Sequence, residues 1–70
     1  MMLESFQEAI EAFKEAIRLE PDNAKAHLKL GLARLLLGDK EGCMEEYYIL
    51  KTLDSGIANE LKVSFEKYGN

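Results

Sequence analysis

The chain holds one cysteine, one histidine, one proline and no tryptophan in 70 residues. A lone cysteine, Cys43, excludes a disulfide within the chain. One cysteine and one histidine cannot close a structural zinc site, which takes four ligands. Basic charge is also short: nine Lys and Arg stand against 13 Asp and Glu, a net charge of −4, and none of the basic residues forms a run. A nucleic-acid binder neutralises phosphates with a basic patch, so nucleic acid is not an expected partner. No segment reaches the roughly 18 apolar residues of a membrane span. The opening Met-Met-Leu-Glu-Ser has no basic stretch leading into an apolar run, so no secretory signal is expected. A single free thiol suits a reducing compartment, and cytoplasm is the expected location. There is no glycine-rich phosphate loop, no pair of histidines and no Cys–His pair with an orienting partner. Small-molecule pockets need about 300–1,000 Å³, more room than four short helices offer. Neither an enzyme nor a cofactor binder is expected.

What is present is 47% apolar and 31% charged, a balance that supports a packed helical domain and argues against disorder. Residues 1–70 are expected to form a single domain. A chain this short buries only about 60% of its unfolded surface. With disulfides and metals excluded, dense helix packing and association are the remaining sources of stability.

Four helices follow from the periodicity. Phe6, Ala9, Ile10, Phe13, Ala16 and Ile17 recur every three or four residues and predict a helix over 5–19, with Ser5 and Glu8 at capping-box spacing. Pro21 disfavours helix at Glu20 and ends it. Asp22 or Asn23 caps a second helix over 24–37, which stops at Gly38. Asp39 opens a third over 40–53, with Cys43, Met44, Tyr47 and Leu50 on its apolar side and Glu41, Glu45 and Glu46 as a solvated acidic face. Asp54-Ser55-Gly56 reads as a turn. A fourth helix over 57–68 places Ile57, Leu61, Phe65 and Tyr68 together. Loops of two to four residues imply antiparallel neighbours.

The stretch His27-Leu28-Lys29-Leu30-Gly31-Leu32-Ala33-Arg34, with its Leu-Gly pair, resembles the first helix of a tetratricopeptide repeat (TPR), a 34-residue helix–turn–helix. Cys43 and Tyr47 stand at the small and aromatic places of its second helix. Phe6, Ala9, Phe13, Ala16 and Pro21 match the second half of a preceding repeat, and Pro21 to Ser55 is one 34-residue period. His27 replaces the bulky aromatic of the pattern, Arg34 its tyrosine, Leu50 a small residue and Ser55 the proline. The resemblance implies an all-α fold: a short antiparallel helix–turn–helix solenoid of about four helices, made of half a TPR, one full TPR and a C-terminal capping helix. It also implies a protein–protein interaction module.

Within that fold the second helix is apolar almost all round. Ala26, Leu30, Ala33 and Leu37 form one arc, expected to pack on the first and third helices. Leu28, Leu32, Leu35 and Leu36 form another, with Lys25 and Lys29 among them. By the family's geometry this arc faces the partner groove, and with little left inside to bury it, it is the expected protein-binding surface. Exposed apolar patches of this kind mark interaction sites. A second copy of the chain, giving a homodimer, is the expected partner. The alternatives are a co-chaperone or secretion-chaperone role holding a peptide, or a minimal or engineered repeat fragment without a ligand. Lys25 and Lys29, one turn apart, match in part the basic residues with which some members clamp a C-terminal carboxylate. His27 and Cys43 read as packing residues.

Overall fold

The computed structural model describes residues 3–69, and its backbone is four helices: α1 (Leu3–Leu19), α2 (Ala24–Leu36), α3 (Lys40–Leu53) and α4 (Ser55–Tyr68). No strand occurs among the described residues. The ends are set by local chemistry. Asn23 Oδ1 accepts from the Ala26 amide at 3.1 Å and Asp39 Oδ1 from the Gly42 amide at 2.9 Å, each satisfying a first-turn donor that has no partner inside the helix. Helix α2 closes with a paired motif: the Asp39 amide donates to the Arg34 carbonyl at 2.8 Å and the Gly38 amide to the Leu35 carbonyl at 3.0 Å. That motif needs a left-handed residue, and Gly38 supplies it at φ +86°.

Three expected boundaries move. Helix α2 ends at Leu36, with Leu37 as its C-cap. Helix α1 begins at Leu3, so Ser5 lies inside it and has helical backbone; the Ser5–Glu8 capping box does not form. Asp54-Ser55-Gly56 is not a turn. Asp54 alone separates α3 from α4, because its extended backbone breaks the helix while its groups serve both ends. Its amide donates to the Leu50 carbonyl at 2.7 Å, and its Oδ1 accepts from the Ile57 amide at 3.2 Å.

Helix α2 packs against α1, α3 and α4, and α3 against α4. The deep core lies in the last three helices: Leu35 of α2, Cys43 and Leu50 of α3, and Ala58 and Leu61 of α4 are buried together. Gly31 allows this closeness. A Cβ there would meet a Leu61 methyl carbon at 2.7 Å and Glu46 Cβ at 3.2 Å. The molecule is a slab of 32 × 31 × 16 Å. Helix α1 sits at one edge of it, and its described side chains include no fully buried residue: Phe6, Ala9, Ile10, Phe13, Ala16 and Ile17 are all half-buried.

Candidate functional site

The half-buried stripe of α1 and the adjoining flank of α2 form an apolar groove of about 260 Å³. Phe6, Ala9 and Phe13 line one wall, and Leu32, Ala33 and Leu36 the other, with Lys29 at the rim. Leu36 is 61% exposed. A leucine held in water beside half-covered phenylalanines is apolar surface that the described helices leave without a partner, and burying such a side chain is worth about 1.5–3 kcal/mol.

The expected binding arc of α2 divides. Leu36 and Leu32 line the groove, and Lys29 and Lys25 are exposed beside them. Leu35 is not available: it is 5% exposed and belongs to the core. Leu28 and Leu32 are half-buried and pack against that same core. The reason is α4, which lies on α2 and covers most of the arc expected to face a partner. Ala26, Leu30 and Ala33 of the other arc are buried as expected, whereas Leu37 caps the end of the helix and is only half-buried.

One polar cluster escapes sequence reasoning. His27 and Glu46 are 4% and 5% exposed, and His27 Nδ1 lies 2.6 Å from Glu46 Oε1. The ring's Nε2 donates to the Pro21 carbonyl at 2.9 Å. Arg34 Nη1 stands 3.5 Å from Glu46 Oε2 and 3.7 Å from Glu45 Oε1. Glu46 is therefore a buried linker and not part of a solvated acidic face. It ties α3 to α2, and through His27 to the turn after α1. Nothing in the spacing of Glu41, Glu45 and Glu46 separates the buried one, because its partner is 19 residues away. A weak signal was available: position 46 falls three residues after Cys43 and four before Leu50, on the apolar side of α3.

No group of three or more His, Cys, Asp or Glu with metal-holding geometry occurs among the described residues. No helix among them is long and apolar enough to cross a membrane. Cys43 is fully buried, and its thiol is pushed above the usual range by burial first and by the Asp39 and Glu46 carboxylates second, the reverse of what a reactive thiol needs. A second cleft of about 200 Å³ between α3 and α4 has Cys43, Tyr47, Leu61 and Phe65 in its lining and Lys62 and Glu66 beside them.

No curated protein and no solved structure matches the chain. Residues 3–38 match the TPR repeat family, a stretch that runs through α1, the Pro21 turn and α2 to the Gly38 turn and takes in just over half of the chain. Its members are protein–protein interaction modules, typically non-catalytic scaffolds. Four antiparallel helices, a 34-residue period and this match together make the chain a member of the TPR repeat family.

Proposed function

We propose that the protein binds another protein in the groove between α1 and α2. The observation that carries this reading is the incomplete packing of α1: six apolar residues at helical spacing, none of them fully buried, beside an exposed Leu36. Globular helices normally bury such a stripe. Leu32, Leu36 and Lys29 contact the partner, with Lys25 at the margin. Leu28 and Leu35 support the groove from within and do not touch the partner.

Self-association is the second reading. A two-fold axis at the groove would bury Leu36 and Phe6 twice, and an isologous contact of this kind is the commonest route to a dimer. Light scattering across a wide concentration range separates the two. A monomeric mass at all concentrations, unchanged by Leu36→Asp, is the result expected for a groove kept for another protein. A dimer that Leu36→Asp dissociates assigns the groove to a second copy. A dimer that Leu36→Asp leaves intact removes the groove from self-association and overturns the second reading.

A further inference from the structure

Both nitrogens of the buried His27 ring face oxygen. Nδ1 lies 2.6 Å from Glu46 Oε1, and Nε2 lies 2.9 Å from the Pro21 carbonyl. A neutral imidazole has one N–H for its two nitrogens, and a carbonyl only accepts. Nε2 therefore holds a hydrogen, which would leave a neutral ring with a bare lone pair on Nδ1. An ionised carboxylate also only accepts, so that lone pair cannot sit 2.6 Å from one. The contact needs a second hydrogen, carried by Nδ1 or by Glu46. Its length belongs to the short, charge-assisted end of the range. We infer that folded His27 and Glu46 hold one proton more at neutral pH than a neutral imidazole and a carboxylate would, and that its loss above neutral frees the Pro21 carbonyl and loosens α1.

The surroundings offer no other source for that hydrogen. Glu46 of α3 is the one acid within 4.0 Å of the ring among the described residues. Its second oxygen faces Arg34 of α2 at 3.5 Å, and Arg34 also approaches the exposed Glu45 at 3.7 Å. A guanidinium beside Glu46 favours the carboxylate, which puts the proton on the ring. Cys43 of α3 is buried, and burial and the nearby carboxylates hold its proton on the thiol. In the turn after α1, the acids flanking Pro21, Glu20 and Asp22, are exposed. Leu61 of α4 lies with Glu46 Cβ around Gly31. The ionisable side chains described on α1 and α4 are all exposed, as are Lys25 and Lys29 of α2 and Asp39 before α3.

In an unfolded chain imidazole loses its proton near about pH 6.5 and a glutamate near about 4.3. Folding therefore takes up one proton above about pH 6.5. The stability this gives is fully present below that pH and is lost as pH rises, until the folded pair releases the proton. One N–H then serves two acceptors. It stays on Nδ1 against buried Glu46, because Pro21 is exposed and its carbonyl can turn to water. Among the described helices α1 packs on α2 alone, so the freed turn weakens the attachment of α1.

The chain has one histidine, so its ring nitrogen signals belong to His27 without assignment. Long-range proton–nitrogen spectra of the whole chain at about pH 7.5, a unit above the ordinary imidazole value, are expected to show both ring nitrogens protonated. A singly protonated ring beside a protonated Glu46, read from its carboxyl carbon, holds the same proton and also supports the inference. A singly protonated ring beside an ionised Glu46 overturns it. In urea unfolding, the wild-type unfolding constant should rise by up to about tenfold per pH unit above about pH 6.5. Glu46→Gln should abolish that rise, because the amide can donate to Nδ1 of a neutral ring and leave Nε2–H on Pro21. Parallel profiles for the two chains overturn the inference, and the wild-type spectrum decides it even where the variant does not fold. Amide protection in α1 should fall relative to α3 as the proton is lost. Equal weakening of both helices overturns the release at Pro21.

Discussion

Replacing His27 with leucine removes the middle of the buried cluster while keeping most of the side-chain volume. The variant leaves the Glu46 carboxylate, 5% exposed, without its 2.6 Å partner and the Pro21 carbonyl without its donor. Leaving a buried hydrogen-bonding group without its partner costs about 1–3 kcal/mol, and more for a charged one, and two such groups are left here. Arg34, 3.5 Å from the other Glu46 oxygen, retains part of the compensation, and the new leucine adds apolar burial. A net loss of about 3 kcal/mol results. A chain of this size has a total stability of roughly 4–10 kcal/mol, so the loss is a large share of it. At about 4–8 °C per kcal/mol for small domains, the melting midpoint should fall by roughly 12–24 °C. Thermal unfolding followed by circular dichroism reads this directly. The companion variant His27→Leu with Glu46→Leu removes both hydrogen-bonding partners at once, and replacing both by apolar groups can be nearly neutral or stabilising. The double variant should therefore melt above His27→Leu alone, with a coupling of about 2 kcal/mol in the cycle. Two single losses that simply add, or a His27→Leu loss below about 0.5 kcal/mol, would refute the reasoning.

Gly31→Ala gains up to about 1 kcal/mol of helix propensity but drives a methyl toward Leu61 and Glu46 Cβ, and overpacking of this kind costs about 1–3 kcal/mol. A net loss of about 1 kcal/mol in urea denaturation is expected; a gain would show that the α2–α4 contact has slack. The buried Cys43 thiol should react with Ellman's reagent only at the rate of unfolding. Because its folded pKa is raised above the ordinary 9.0, its contribution to stability is fully present below that pH and is lost as pH rises toward the native value, the unfolded thiol ionising first. Cys43→Ala should flatten that part of the alkaline decline, and an unchanged slope would contradict it.

Much of the fold could be read from local signals. Pro21, Gly38 and the capping Asn23 and Asp39 act on their own neighbours, so the ends they set are visible in the chain itself. Asp54 misled because one residue does the work of a turn, capping one helix while ending another, and Ser55 and Gly56 beside it look like loop. The expected binding arc of α2 divides for a tertiary reason. Periodicity shows that Leu28, Leu32, Leu35 and Leu36 share a side; it does not show that α4 lies over three of them and leaves Leu36 in water. The groove itself needed both walls. Phe6, Ala9 and Phe13 read as ordinary core until α1 is seen to be packed on one side only, and Glu46 read as surface until His27, 19 residues earlier in the chain, is found against it.

The central claim, that the α1/α2 groove is the docking surface, is tested most directly by mapping backbone-amide chemical-shift changes on titration with a synthetic amphipathic peptide that carries several leucines and flanking glutamates. Changes concentrated at Phe6, Ala9, Phe13, Leu32 and Leu36 are predicted. Changes centred instead on the Tyr47–Phe65 cleft, or spread evenly over the four helices, would contradict it.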